Sequence, residues 1–261
     1  MFKHYFEVYK KFVETCFTQA SSFRLSFALL IIMDLFFYFS ALASVTFIFD
    51  YVPAIGPWSK DKFLFFVSFM LAVNHLHMTI VSENFWELSL LIRTGQMDFV
   101  LLKPIHSLFT SFFRHFRPAS MLNGIAAWTL LIYYGIKLDL ATLSWVLLPL
   151  MILTAFALNV VIEMIVAVSM FWIVEGLGIN FLRMQFQQLS RWPDFIYGNI
   201  TRRVLTIAMP ILLIGSGPVR FLLDWKDYQL LLGMIVALVV FFKILLWVWD
   251  LGLKKYDSAS S

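Results

Sequence analysis

The feature of this sequence that most constrains its fold is a set of long, nearly uninterrupted apolar runs. A helix needs about 20 mostly apolar residues to cross a bilayer. Five runs approach or exceed that length: Leu25 to Ile48, Phe63 to Val81, Met121 to Ile136, Trp145 to Val174 and Leu230 to Trp249. Apolar residues make up 61% of the 261 and charged residues 14%, whereas a soluble domain is about half apolar and a quarter charged. The chain is therefore predicted to be an all-α membrane protein without a soluble domain.

The stretch between the last two runs, residues 175–228, allows two interpretations. Hydropathy alone favours Val204 to Leu223 as the fifth span, with a cytoplasmic loop before it. The alternative makes Leu177 to Trp192 a less apolar span and residues 193–223 a re-entrant segment. The prolines and glycines at 210–218 suit a turn at membrane depth, where protein or water must supply hydrogen-bond partners for the backbone. Either interpretation predicts six transmembrane helices.

The first 22 residues have a different pattern, in which apolar and charged side chains occupy opposite sides of a helix. The apolar set is Phe2, Tyr5, Phe6, Tyr9, Phe12, Val13, Cys16 and Phe17, and the charged set is Lys3, Glu7, Lys10, Lys11 and Glu14. Residues 1–22 are thus predicted to be an interfacial amphipathic helix, with an ordinary helix packed on protein as the alternative. We expect no cleavable signal peptide, because the segment lacks a continuous apolar core. The transmembrane domain would then span residues 23–257.

The distribution of lysine and arginine predicts the orientation, because cytoplasmic loops are enriched in both. Ten lie on the side of the N-terminus: Lys3, Lys10, Lys11, Arg24, Arg93, Lys103, Arg114, Arg117, Lys254 and Lys255. Five lie opposite: Lys60, Lys62, Lys137, Arg220 and Lys226. The remaining arginines at 183, 191, 202 and 203 give fourteen against five if the fifth span begins at Val204, and ten against eight in the re-entrant case. Both cases place the two termini in the cytoplasm.

The longest cytoplasmic segment, residues 82–118, contains more than a linker. Within residues 82–104, apolar side chains recur among charged ones, and Gly95 permits a sharp turn. Asp98 can cap the following helix, which Lys103 and Pro104 would end. The pattern predicts two short helices joined by a turn, a partly apolar surface that could dock on a soluble partner.

Two motifs in this sequence resemble a known family. Gly95, Asp98, Leu101, Lys103 and Pro104 match the signature G-x-x-D-x-x-L-x-[KR]-P that follows the second span of bacterial type-2 ABC transporter permeases. The later run from Arg191 to Tyr197, followed by Arg202-Arg203-Val204-Leu205 and Met209-Pro210, is similar to a motif before the last span of those permeases.

The resemblance implies the transmembrane subunit of an ABC exporter in a bacterial inner membrane. Two permeases, identical or related, would form the translocation path, and each would bind a cytoplasmic ABC-class ATPase that holds ATP and magnesium. The segment 82–104 would be the coupling element, and the resemblance favours the re-entrant form of 193–223 on the outer side. The residues predicted to couple ATPase motion are Glu87, Arg93, Gly95, Asp98, Lys103 and Pro104.

Motifs for other chemistry are missing from the sequence. It contains no G-x-x-x-x-G-K-[ST] loop for ATP phosphates and no H-E-x-x-H or G-x-S-x-G of a hydrolase. His75 and His77 are two residues apart, so on a helix they point to opposite sides and do not predict a metal site. The net charge of +4 comes from basic residues at the ends of apolar runs, so nucleic-acid binding is not expected. The chain is predicted to be neither an enzyme nor a cofactor-binding protein.

Three ionisable residues fall within the predicted spans, where charge is expensive to bury: Asp34, Glu163 and Lys243. They could line a substrate path or relay protons, which would suit an ATP-independent, proton-coupled carrier as the alternative function. They could also form ion pairs between helices or between subunits, which is the interpretation we favour because one lysine and two acids can largely neutralise one another. The sequence does not identify a substrate or distinguish a homodimer from a heterodimer of permeases.

Overall fold

The computed structural model describes residues 2–173 and 176–256, which form helices joined by short connections and one small β-hairpin. The helices are α1 (Phe2–Ser22), α2 (Arg24–Phe49), α3 (Lys60–Ile80), α4 (Ser82–Arg93), α5 (Met97–Leu101), α6 (Ser107–Phe113), α7 (Pro118–Lys137), α8 (Thr142–Val168), α9 (Gly176–Ser190), α10 (Asn199–Arg203), α11 (Leu213–Leu223) and α12 (Gln229–Lys255). The hairpin strands are β1 (Ala54–Ile55) and β2 (Trp58–Ser59), and short 3-10 or π turns cover Ser169–Phe171, Asp194–Ile196 and Val204–Ala208.

The five apolar runs all become helices long enough to cross a membrane. Five such helical stretches are present in the described residues: Arg24–Phe49, Lys60–Arg93, Pro118–Lys137, Thr142–Phe171 and Gln229–Lys255. The prediction of an all-α membrane protein is therefore confirmed. Val174, the last residue of the fourth predicted run, lies outside the described residues.

Helix α3 forms the centre of the bundle, and α2 and α12 lie at its periphery. The most apolar part of α3 is 78% buried by protein, against 11% for α2 and 17% for α12. α3 packs against α7, α2, α8 and α11. Because α2 and α12 are apolar on almost every side, their exposed faces suit a lipid environment or a second membrane subunit.

Helix α9 has only 15 residues, yet it and the residues after it extend along the whole of α3. Gly176, at its start, lies against Ser89 of α4. At the other end the ring of Phe195 packs edge-on against Trp58 of β2, with 4.9 Å between the ring centroids. The buried face of α9 carries Asn180 and Arg183. These polar residues face protein, so hydropathy understates how deeply the segment is embedded.

The segment after α9 folds back on itself. The pair formed by Asn199–Ala208 and Leu213–Leu223 is bent by 98°. The Asp194 carboxylate forms ion pairs with Arg202 at the start of this pair and with Arg220 near its end, the latter at 3.0 Å. One aspartate therefore holds both ends of the bent pair. The pairing also gives Arg202 a structural partner.

Candidate functional site

The segment that follows α3 has the predicted helix–turn–helix form. α4 ends at Arg93 and α5 begins at Met97, and between them Gly95 adopts a φ of 72°, a left-handed conformation that glycine takes most readily. The prediction that Asp98 caps the second helix is wrong, because the N-cap is Gln96 and Asp98 lies in the first turn of α5. There its negative charge is still favourable for the helix dipole.

A pair of hydrogen bonds fixes α4 to the connection between α6 and α7. The buried Asn84 donates from Nδ2 to the carbonyl of His115 at 2.9 Å, and its Oδ1 accepts from the His115 N–H at 2.7 Å. Phe85, Leu88 and Met97 are completely buried beneath the two short helices. The helix–turn–helix is therefore a firmly packed part of the bundle.

The outer surface of the same segment is apolar and uncovered within this chain. Phe99 is 69% exposed and Leu102 is 81% exposed. Trp86, Leu90 and Leu101 add to this surface at 44–48% exposure. We call these five residues the apolar cap. Several large apolar side chains exposed on one short segment are typical of an interaction site.

The predicted coupling residues lie around the apolar cap. Glu87, Gly95 and Asp98 are half-buried, whereas Arg93, Lys103 and Pro104 are exposed. Desolvation, and then the charge of Arg114, lower the pKa of Lys103 below its usual value. The predicted residues thus all lie on the same helix–turn–helix segment or directly after it, and none of them is buried.

A buried polar network lies directly behind this surface. Glu163 of α8 contacts His77 Nε2 of α3 at 2.9 Å, accepts from Asn159 Nδ2 at 2.8 Å, and forms an ion pair with Arg183 of α9. Arg183 also donates from Nε to Asn180 Oδ1 at 3.3 Å. All five residues are buried, so the network joins α3, α8 and α9 through one carboxylate.

The network also reaches α4 through the ring of Phe85. The Arg183 guanidinium lies 4.3 Å from the ring centroid, and the His77 imidazole stacks on the ring at 5.9 Å. Asn180 Nδ2 donates to the Phe85 carbonyl at 3.3 Å. A displacement of α4 would therefore act directly on α3 and α9 through these contacts.

Sequence reasoning found only one member of this network, Glu163. Arg183 was noted only as a basic residue of uncertain side, and His77 only as an improbable metal ligand. The sequence signal for Arg183 is the coincidence of an intramembrane acid with an arginine in the least apolar predicted span, since buried charges need partners.

The three intramembrane candidates do not contact one another. Asp34 accepts hydrogen bonds from Ser120 Oγ at 2.8 Å and from Asn123 Nδ2 at 3.1 Å. Lys243 is exposed on α12 and makes no ion pair in the described chain. The expectation that the trio neutralises itself is wrong within this chain, because Glu163 is instead paired with Arg183 and His77.

The structure offers no metal centre among residues 2–173 and 176–256, where no three His, Cys, Asp or Glu side chains converge to hold an ion. His75 contacts the Ser120 carbonyl through Nδ1 at 3.0 Å, which gives it a packing role.

Comparison with known proteins agrees with this arrangement of helices. A family model described as "ABC-2 family transporter protein" matches residues 28–260, which include the helix–turn–helix and the buried network. No curated protein and no solved structure gave a match. Since the family model covers nearly all of the chain, this multi-pass membrane protein belongs to the ABC-2 family of transporter permeases.

Proposed function

We propose that this chain is the permease subunit of an ATP-driven exporter, which works as a pair of permeases with a separate cytoplasmic ABC-class ATPase. Family membership supports the permease role and the partnership with an ATPase. The pairing of permeases, the coupling route and the export direction are our proposals.

The observation that carries the coupling proposal is the apolar cap on an anchored support. Phe99 and Leu102 are large apolar side chains whose exposure to water is unfavourable. Asn84 and Phe85 anchor the same segment to the bundle. A rigid, apolar projection suits insertion into a groove of a soluble partner. A flexible loop would lose the partner's displacement before it reached the spans.

The route of force then follows from the contacts of Phe85. ATP binding would draw the two ATPases together and displace α4, and the stacking of Phe85 on Arg183 and His77 would pass that displacement to α9 and α3. Tilting of these helices would open the path between the two permeases to alternate sides.

The proposed topology has six crossings, with both termini in the cytoplasm of a bacterial cell. The helix α9 and the residues after it would form the fifth crossing, because they extend from α4 to the β-hairpin. The bent pair 199–223 would enter and leave the membrane on the outer side, where Asp194 holds both of its ends.

We do not propose the ATP-independent carrier as a second function. A proton relay needs titratable groups in succession, but Glu163 is held by Arg183 and Asn159, and Lys243 lies apart on the surface of α12. No contact joins the three candidate residues into a path.

Co-purification from the native membrane tests the proposal. A tagged wild-type chain should retain an ABC-class ATPase. Phe99→Glu and Leu102→Glu should each reduce its recovery about tenfold or more, because a carboxylate in a buried interface costs more than 1.4 kcal/mol. Both side chains are exposed, so folding should be unaffected.

The matched controls are Phe99→Leu and Leu102→Met, which keep an apolar side chain at each position and should retain the ATPase. Undiminished recovery of the ATPase with both glutamate variants would refute docking at the apolar cap.

A further inference from the structure

A second polar feature lies apart from the coupling surface, in a cleft between α2, α3 and α9. The cleft has a volume of about 210 Å³ and is lined by both apolar and polar side chains, among them Phe37, Ser44, Asn74, Gln188, Arg191 and Trp192. It opens toward the periphery of the bundle, since Phe37 and Trp192 are 37% and 41% exposed.

The cleft lies within the apolar part of the bundle. Phe37 is near the midpoint of α2, and Asn74 is in the second half of α3. Arg191 follows α9 directly, and its guanidinium extends back between these two residues. The charge is thus held at a depth where ionisable groups are expensive and normally paired.

Arg191 differs from the other embedded arginines in having no carboxylate within ion-pair distance among the described residues, although the charge of Glu163 acts on it from farther away. Arg183 pairs with Glu163, and Arg202 and Arg220 pair with Asp194. The polar contact of Arg191 is a long one, 3.5 Å from Nη2 to Asn74 Oδ1.

The aromatic ring beneath Arg191 leaves most of its donors free. The guanidinium carbon lies 4.8 Å from the centroid of Phe37, and one of the guanidinium N–H groups donates to Asn74, while the residue itself lines the cleft. The acid on α2, Asp34, does not pair with Arg191, because its carboxylate accepts hydrogen bonds from Ser120 and Asn123.

From these contacts we propose that the cleft binds the anionic head group of an amphiphilic substrate, a carboxylate being the chemistry that fits it. The inference rests on the proposed export function and specifies the class of cargo. A guanidinium binds a carboxylate through two parallel hydrogen bonds. The amides of Asn74 and Gln188 supply further donors, and Phe37 and Trp192 form the apolar walls.

The size of the cleft fits a head group with a short length of chain. Its 210 Å³ is about seven times the volume of a water molecule. A longer apolar tail would leave the cleft beside Phe37 and lie along the exposed side of α2, a helix whose most apolar part is only 11% buried by the bundle. That face could contact lipid or the second permease.

Photo-crosslinking of the full chain in lipid nanodiscs tests this site without the ATPase. The probes are a long-chain fatty acid bearing a diazirine on its third carbon from the carboxyl group and its primary amide, which has the same shape without the charge. The acid should label peptides from α2 and α9 about tenfold more than the amide does, which is about 1.4 kcal/mol, because a hydrogen bond between charged groups is stronger than one to a neutral amide.

Substitution of Arg191 provides the second comparison. Arg191→Gln should reduce labelling by the acid to that of the amide, and Arg191→Lys should retain a preference for the acid. Equal labelling by acid and amide in the wild-type chain, or unchanged preference in Arg191→Gln, would overturn the proposal. The wild-type comparison needs no variant to fold.

Varying the lipid composition of the nanodisc tests whether the cleft binds an anionic cargo or the anionic head group of a bilayer lipid. Labelling measured in neutral phosphatidylcholine should persist when phosphatidylglycerol is added. Its loss would assign the cleft to anionic lipid head groups and reject the cargo assignment. Because no ATPase is present, failure here is independent of the co-purification result.

Discussion

Glu163 is a carboxylate in the middle of an apolar helix, and its neighbours explain how it is tolerated there. Arg183, His77 and Asn159 each contact one of its oxygens. Burying an ion pair brings little net stability, but breaking one leaves an uncompensated charge. The network therefore has a large effect on stability only when one partner is lost.

Single and double substitutions of this pair should be strongly non-additive. Glu163→Leu should lower the free energy of unfolding by about 3–5 kcal/mol, because it leaves the buried Arg183 without a counter-ion. Arg183→Leu should lower it by less, because Glu163 keeps its contacts with His77 and Asn159. The double variant should lose far less than the sum of the two. Unfolding in detergent–denaturant titrations measures these energies, and additive losses would contradict the pairing.

The sequence could identify Glu163 but not its partners. An acid in a predicted span is conspicuous because of its cost in hydrocarbon. His77 is 86 positions away and Arg183 is 20 positions away, so the pairing depends on how three helices pack. The unpaired state of Arg191 could not be predicted for the same reason.

At the scale of elements, the turn between α4 and α5 should control coupling. Gly95 at φ 72° occupies a conformation that a β-branched residue strongly disfavours, at a cost of about 1–3 kcal/mol. Gly95→Val should reorient α5 with its apolar cap and reduce ATPase recovery and transport, while the chain still inserts in the membrane. Asp98→Lys, which places a positive charge in the first turn of α5, should act in the same direction.

The matched control is Gly95→Asn, since asparagine tolerates the left-handed conformation better than most residues. It should retain coupling. If the valine variant transports as well as wild type in membranes with equal amounts of protein, the turn has no coupling role.

The sequence predicted elements well where local chemistry defines their ends. Gly95 and Pro104 bounded the two short helices, and long apolar runs identified the spans. It was ambiguous for α9, whose polar residues Asn180 and Arg183 face the protein interior. Hydropathy counts such residues as if they faced lipid, so it undervalues a helix whose polar side chains face protein.

For the whole molecule, the sidedness of the bent pair distinguishes the two topologies. A Cys16→Ser background removes the one native cysteine, and single cysteines can then be placed at the exposed positions Gly198, Lys226 and Thr94. In intact cells an impermeant thiol reagent should label Gly198→Cys and Lys226→Cys, because a re-entrant segment has both ends outside. Thr94→Cys should be labelled only after the membrane is opened.

A broken span would give a different result. Gly198→Cys would then be protected in intact cells while Lys226→Cys was labelled, since the two positions would lie on opposite sides. Labelling of Thr94→Cys in intact cells would place the helix–turn–helix outside and end the coupling proposal.

The sequence by itself determined that this protein uses the bilayer as its solvent and that it is built from helices. It also determined that a glycine turn follows the second membrane-spanning helix, between α4 and α5. These properties depend on the length, apolarity and backbone geometry of short stretches, so a window of about 20 residues contains the information that predicts them. Only the tertiary structure decided that Glu163 faces Arg183, that Asp194 draws together both ends of the bent pair, and that Arg191 has no carboxylate within ion-pair distance. Those pairings join helices distant in the chain, and their energies depend on which groups packing excludes from water and lipid.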